Sequence, residues 1–177
     1  MKNTAINTLT YTGIVTLSQY IGNKKVKIAQ LHNTGGESLF KFLANCFAGN
    51  FESAQNNRPA KVKLLNKTLV GDDIVYRSVS GFIFVRNLQQ RLVNSRECCV
   101  RYSFIIPRDL FEDLTNISTL GLGLYSLDTP EDEPGSFVAF CALSADLNLN
   151  RNKITNASLV VDWDLLIANG STAGTSL

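Results

Sequence analysis

Apolar and polar residues alternate along much of this chain, and the alternation is clearest in residues 158–168. There the apolar residues occupy every second position, namely Leu159, Val161, Trp163, Leu165 and Ile167. A two-residue period is typical of a β-strand with one buried face, because successive side chains of a strand point to opposite sides. We predict a strand here, with Asp162 and Asp164 on its solvent-facing side, as in an edge strand.

Shorter runs with the same composition predict further strands over residues 13–20, 24–31, 60–65, 74–85, 98–106, 120–126 and 136–143. A turn at Gly22 and Asn23 joins the first two into a hairpin, since both residue types tolerate the positive φ of a tight turn. Lys25 and Lys27 would then lie on the solvent-facing side of that hairpin.

Two segments between these strands lack a clear period. Residues 66–73 fit either a loop or a weak strand pair that bends at Gly71. Residues 87–96 are mostly polar, which is typical of a connecting loop.

One segment, at about residues 34–48, has a helical pattern. Thr34 and Glu37 have the spacing of a capping box, and Gly49 can adopt the left-handed conformation that ends a helix. Apolar residues recur at three- and four-residue steps between them, at Leu39, Phe42, Leu43, Cys46 and Phe47. We expect an amphipathic helix that covers one face of a sheet as a plug or lid.

Eight or nine short strands with one inserted helix predict a mostly β protein, an antiparallel β-sandwich or a jelly-roll-like domain. A parallel sheet would need several crossover helices. The length of 177 residues favours a single domain. We place it at residues 13–168, between an N-terminal arm at residues 1–12, which could instead be an edge strand, and a flexible C-terminal tail at residues 169–177.

The charge balance argues against a nucleic-acid partner. Lys and Arg number 17 against 15 Asp and Glu, and no long run of like charge occurs. No apolar run approaches the ~20 residues that span a bilayer, and the first residues lack the apolar segment of a signal peptide. We expect synthesis in the cytoplasm, no membrane partner and no specific nucleic-acid partner.

The cysteines do not predict a metal centre. Cys46, Cys98, Cys99 and Cys141 form no C-x-x-C pair, and His32 is the one histidine of the chain. We expect buried, reduced thiols, with Cys98 and Cys99 on opposite faces of a strand. No metal-binding residue and no cofactor are predicted.

No motif predicts catalysis. Asp162 and Asp164 could be viewed as a glycosidase pair, but alternation with a core stripe is expected of a strand's solvent face. His32 lacks a nucleophile motif, and Gly121-x-Gly123 is too short for a dinucleotide fingerprint. The acidic loop lacks the spacing of a calcium loop and is expected to be a solvated turn; it contains Asp128, Glu131, Asp132 and Glu133. We predict a protein that is not an enzyme and has no catalytic residue.

Two further sets of residues are candidates for binding. The arginines could form a basic strip with Tyr102, although solvation or ion pairs between subunits are the simpler interpretation; they are Arg77, Arg86, Arg91, Arg96 and Arg101. The tyrosines could stack on sugar rings if they were exposed; they are Tyr11, Tyr20, Tyr76, Tyr102 and Tyr125.

Three segments carry a resemblance to a known class of proteins. They are Val100-Arg101-Tyr102-Ser103-Phe104-Ile105-Ile106-Pro107, Leu120-Gly121-Leu122-Gly123-Leu124-Tyr125-Ser126 and Leu159-Val160-Val161-Asp162-Trp163-Asp164-Leu165. Over residues 98–168 the chain resembles the C-terminal β-region of small virion proteins of tailed bacteriophages. The resemblance implies a structural component of the head, the head–tail junction or the tail, acting in a symmetric oligomer.

We therefore predict a non-enzymatic virion structural protein that forms a homo-oligomer and binds other virion proteins. Its terminal segments and strand edges would supply the contacts. The alternative is a carbohydrate- or receptor-binding β-sandwich module, which would expose aromatic side chains to its ligand.

Overall fold

The computed structural model describes residues 7–36, 39–40, 42–44, 48–50, 59–78, 83–95, 97–107, 117–124, 137–143 and 158–171. Within these ranges it contains eleven strands. They are β1 (Asn7–Ile21), β2 (Lys24–His32), β3 (Thr34–Gly35), β4 (Pro59–Val70), β5 (Asp73–Ser78), β6 (Ile83–Phe84), β7 (Asn87–Asn94), β8 (Glu97–Ile106), β9 (Thr119–Leu124), β10 (Phe137–Ala142) and β11 (Leu159–Ser171).

The strands form two sheets. Sheet A has the order β2-β1-β11-β8-β7, and sheet B has the order β3-β10-β9-β4-β5, with β6 also paired to β4. All of the pairings are antiparallel. The predicted antiparallel β-sandwich is confirmed, whereas its jelly-roll-like variant stays a prediction.

One hydrophobic core lies between the sheets. Sheet A contributes Val15, Phe104 and Trp163, and sheet B contributes Leu64 and Leu120, all with no exposed surface. The predicted core stripe of the last strand is confirmed for four of its five residues, because Leu159, Val161, Trp163 and Leu165 belong to this core. The fifth residue, Ile167, is half-buried and lies outside the core. Burial of such side chains from both sheets is the main stabilising term of the fold.

The last strand is not an edge strand, so our prediction for its second face was wrong. β11 lies at the centre of sheet A, where it pairs with β1 on one side and β8 on the other. Asp162 and Asp164 are only 5% and 7% exposed. A two-residue period identifies the two faces of a strand, but it carries no information about how many strands flank it.

The ends of the chain enter sheet A further than predicted. β1 begins at Asn7, which pairs with Ser171, so that residues 7–12 of the predicted arm and residues 169–171 of the predicted tail are strand. The Thr- and Asn-rich sequence gives little apolar signal there. The two segments are strands because the backbone of each one pairs with the backbone of the other. Residues 1–6 and 172–177 lie outside the described ranges.

Two hairpins and one edge strand bear on three further predictions. The β1–β2 hairpin is confirmed and turns at Gly22, whose φ is 61°. β4 and β5 form the predicted strand pair, which turns at Gly71 with φ of 65°, so the loop interpretation of residues 66–73 was wrong. Residues 87–94 form β7 and not a connecting loop, since an edge strand with exposed residues on both faces shows no apolar alternation.

The predicted helix is confirmed by the helical residues 39–40 and 42–44, and Gly49 has the expected positive φ, of 71°. Leu39 is buried against Val138 of β10. The predicted cap was wrong, because Thr34 belongs to β3 and pairs with Phe140. The backbone N–H of Leu39 donates instead to the carbonyl oxygen of Gly36, at 3.1 Å.

Candidate binding surfaces

A row of charged side chains crosses the outer face of sheet A, on the side away from the core. Lys25 Nζ lies 2.5 Å from Asp162 Oδ2, and Ser103 Oγ donates to Asp162 Oδ1 at 2.7 Å. Arg101 donates through Nε and Nη2 to the two carboxylate oxygens of Asp164, both at 2.7 Å. We call these five residues the charged row.

The strand register accounts for the charged row. Asp162 lies opposite Ser103, and Asp164 lies opposite Arg101, on the paired strands β11 and β8. Lys25 reaches the same face from β2, across β1. A charge at one position of a central strand thus meets its partners across the sheet, which is the spacing at which cross-strand pairs interact.

The electrostatics of the charged row favour ionised, paired groups. Burial alone would raise the pKa of Asp162, but the hydrogen bonds from Lys25 and Ser103, together with the charges of Lys25 and Arg101, outweigh it and lower that pKa. The carboxylate of Asp164 raises the pKa of Arg101 through their hydrogen bonds. A glycosidase acid would need a raised carboxyl pKa. Asp162 has the opposite shift, so the pair is suited to holding strands together.

A polar pocket of about 330 Å³ lies beside the charged row, and four residues of that row line it. Its lining also includes Tyr20, Arg86 and Gln89. Tyr20 is 47% exposed. The pocket therefore combines one exposed aromatic ring with several hydrogen-bonding groups.

The outermost strand of sheet A exposes apolar side chains. All eight residues of β7 are exposed, with Leu88 at 57% and Leu92 at 80%. Leu88 lies opposite Tyr102, which is part of the core. Leu88 and Leu92 therefore lie on the core-side face of sheet A, at a place where no described residue covers that face. We call residues 87–94 the β7 edge.

A second apolar surface lies at the tip of the β4–β5 hairpin. Leu69, Val70 and Ile74 are 73%, 54% and 49% exposed. Leu69 pairs directly with Ile74 across the hairpin. We call these three residues the hairpin tip, and together with the β7 edge they place exposed apolar groups on both sheets.

The described tyrosines differ in burial and in their contacts. Tyr102 is buried in the core, Tyr76 stacks on Phe140 with ring centroids 4.4 Å apart, and Tyr11 accepts a hydrogen bond from Asn33 at 2.8 Å. Burial raises the pKa of Tyr11. Tyr20 is the one exposed tyrosine among those described, and Tyr125 lies outside the described ranges.

The arginines do not form a single basic strip in the part of the chain that the structure describes. Arg77 lies on β5 in sheet B, whereas Arg101 lies in sheet A and is paired with Asp164 within the chain. Tyr102 faces the core and not the arginines. Arg96 lies outside the described ranges. The partner of Arg101 could not be identified from the sequence, because Asp164 is 63 positions away.

The described cysteines are free thiols. Cys99 and Cys141 are buried, and Cys98 is half-buried on the opposite face of β8 from Cys99. Burial raises the pKa of Cys141 to about 12 and also raises that of Cys99. Both thiols are therefore protonated near neutral pH and are poor nucleophiles. Cys46 lies outside the described ranges.

The acidic loop with Asp128, Glu131, Asp132 and Glu133 also lies outside the described ranges. Among the residues that are described, no group of three or more His, Cys, Asp or Glu side chains is placed to hold a metal ion. In the same residues, no helix has the length and apolar character needed to span a bilayer.

Comparison with known proteins gives no relative. No known protein family matches the chain, and neither a curated protein nor a solved structure matches it.

Proposed function

We propose that this protein is a non-enzymatic structural protein of a tailed-bacteriophage virion and acts by oligomeric assembly with itself and with other virion proteins. The observation that carries the proposal is the exposure of large apolar side chains at two separate places, the β7 edge and the hairpin tip. Contiguous exposed apolar surface on a folded domain is typical of protein–protein contacts. The resemblance of residues 98–168 to small virion proteins supplies the setting.

The charged row supports a structural role over a catalytic one. Asp162 and Asp164 are both buried and paired, and each accepts two short hydrogen bonds. Polar groups that are satisfied in this way fix the strands of a sheet, whereas a catalytic acid needs an accessible proton.

The experiment that tests assembly is light scattering on the purified full-length protein over a range of concentrations. We expect a discrete oligomer, and negative-stain images of uniform rings or closed particles. Two double variants locate the contacts: Leu88→Ser with Leu92→Ser in the β7 edge, and Leu69→Ser with Ile74→Ser in the hairpin tip. At least one of them should lower the mass.

The matched control is Lys24→Ser with Lys27→Ser, which changes exposed residues of β2 at the opposite side of sheet A. The control should keep the mass of the unaltered protein. A folded monomer at every concentration would overturn the assembly proposal, with folding verified by circular dichroism.

A carbohydrate- or receptor-binding module is the second candidate function, and the pocket beside Tyr20 favours it. Tyrosine rings that are exposed next to polar side chains can stack on a sugar while the polar groups bind its hydroxyls. Titration with a panel of oligosaccharides, monitored by calorimetry, tests this function. Tyr20→Ala should abolish binding, whereas Arg77→Ala, in sheet B, should not; the absence of heat with every sugar would remove this candidate.

A further inference from the structure

We infer that two copies of this chain pair through their β7 edges, antiparallel and about a two-fold axis at Gln90, so that the two sheets A become continuous. This inference rests on the proposed assembly function and names the partner, a second copy, and the register. Three observations support it: β7 pairs with one described strand only, its side chains are self-complementary about Gln90, and no like charges face each other in that register.

The strand edge is available for pairing. β7 ends the order of sheet A and pairs only with β8 among the described strands. The backbone N–H and C=O groups on its other side therefore face outward, and every residue of the strand is exposed. Edges of monomeric proteins are usually protected by proline, by lysine or by charges that point inward. β7 contains neither proline nor lysine.

The order of side chains selects the register. In an antiparallel pair, residues directly opposite each other share a face of the sheet. A two-fold axis normal to the sheet therefore lies midway between the two strands, at the level of one residue that faces its own copy in the partner. An axis at Gln90 places Leu88 opposite the partner's Leu92, and Leu92 opposite the partner's Leu88. Two leucine pairs then form on the core-side face, where both side chains are exposed in the single chain.

The neighbouring registers are less favourable. An axis at Gln89 would place Leu88 opposite the partner's Gln90 and would leave both leucines without an apolar partner. An axis at Arg91 would place two arginines opposite each other, which is destabilising. With the axis at Gln90, Arg91 lies opposite the partner's Gln89 on the outer face, and no like charges are opposed.

The register shift near the end of β7 leaves enough regular strand for a short symmetric contact. Its pairing with β8 is regular from Asn87 to Leu92 and shifts before Asn94. The stretch 88–92, which is centred on Gln90, therefore lies wholly in the regular part. A symmetric pairing needs no more of the strand than these five positions.

Cysteine cross-linking tests the register. Gln90→Cys is made in a Cys98→Ser background, because Gln90 Nε2 lies 3.9 Å from Cys98 Sγ and a disulfide within one chain would otherwise compete. Directly opposite residues have Cα atoms about 4.5–5.5 Å apart, which is within disulfide range. We expect mild oxidation to convert most of the protein into a covalent dimer.

Two matched variants in the same background serve as controls. Leu88→Cys alone should give no covalent dimer, since the two cysteines of a pair would lie four positions apart along the strands, about 13 Å. A mixture of Leu88→Cys with Leu92→Cys should cross-link. In the native background, Leu88→Ser with Leu92→Ser should weaken dimerisation about tenfold or more.

The outcomes separate this inference from the function on which it rests. An oligomer that keeps its mass in the Leu88→Ser, Leu92→Ser variant and gives no Gln90→Cys dimer would overturn the β7 pairing while assembly through another surface stands. Cross-linking through Leu88→Cys alone would overturn the register. A protein that is monomeric at every concentration would overturn both proposals.

Discussion

At the scale of single residues, Gly121 shows how tightly the strands of sheet B pack against their side chains. It lies on β9 between β10 and β4. A Cβ atom at this position would lie 2.6 Å from two ring carbons of Phe137 and 2.9 Å from Leu65 Cδ1. These distances are below van der Waals contact, so only glycine fits unless the side chains of Phe137 and Leu65 move.

We predict that Gly121→Ala lowers the free energy of unfolding by about 1–3 kcal/mol, because the added methyl group overpacks this site. Urea denaturation followed by circular dichroism measures the change. The control is Phe137→Leu, which makes room for the methyl group. The loss in the double variant should be smaller than the sum of the two single losses. Additive losses would show that the Phe137 ring is not the obstacle.

Asp162 is the second position whose behaviour follows from its immediate neighbours. Its pKa is lowered in the folded protein, so near and below its ordinary value of 3.8 the folded state binds fewer protons than the unfolded chain. The stabilisation from Asp162 is therefore fully present above that value and is lost as pH falls through the lower, folded pKa. This follows from the sign of the shift alone.

We predict that the unaltered protein loses more stability than Asp162→Asn between pH 6 and pH 3, because the amide has no proton to gain. Urea midpoints at several pH values measure the difference. Lys25→Met should reduce the acid sensitivity in part, since it removes one of the two hydrogen bonds that lower the pKa. Equal slopes for the unaltered protein and Asp162→Asn would contradict this account.

At the scale of elements, the sequence predicts the strands that are buried on one face and misses those whose signal depends on neighbours. The alternation of β11 and the glycine turn of the β1–β2 hairpin are local features, and both predictions were confirmed. The position of β11 at the sheet centre was missed, because strand order is set by contacts across the whole chain. β7 was missed because an exposed edge strand lacks the apolar period.

In the candidate surfaces too, local features could be predicted from the sequence, whereas features that depend on neighbouring strands could not. The tyrosine at position 20 was among the residues considered for stacking, but the sequence could not separate it from the buried Tyr102. The Arg101–Asp164 pair joins β8 to β11, and its members have no sequence proximity. The leucines of β7 are unremarkable in sequence and become informative only once their face and exposure are known.

We predict that the helix is held to sheet B chiefly by Leu39. This side chain is 4% exposed and packs on Val138, whereas Phe40 beside it is 72% exposed. Leu39→Ala should therefore cost about 2–4 kcal/mol of unfolding free energy, and Phe40→Ala should cost little. Urea denaturation compares the two variants. A larger loss from Phe40→Ala would show that the helix is anchored differently.

At the scale of the whole molecule, the first and last described strands pair with each other inside sheet A. β1 and β11 pair from Asn7 with Ser171 to Gln19 with Leu159. The fold therefore needs both ends of the described chain. Residues 1–6 and 172–177 are outside the described ranges, so a test of the proposed contact arms is restricted to them. A shortened protein that lacks only these twelve residues should keep the fold, which makes it the appropriate variant for testing the arms.

We predict that the stability of the chain depends on its concentration. If folding is coupled to association, the melting temperature must rise with protein concentration, because only the folded chain associates. For a dimer, a tenfold increase in concentration adds at most about 1.4 kcal/mol per association step, which corresponds to a rise of about 2–6 °C for a chain of this size. Scanning calorimetry at several concentrations measures it.

Variants show which of the proposed contacts causes this rise in melting temperature. Leu88→Ser with Leu92→Ser should reduce the rise in melting temperature at a given concentration if the β7 edge is the principal contact, because Ser cannot form the apolar pairs across the axis. The shortened protein should lose it only if the terminal arms hold the oligomer together. Both variants should retain the unaltered strand content by circular dichroism. A melting temperature that is independent of concentration in the unaltered protein would show that the chain folds alone, with no stabilising contact between copies.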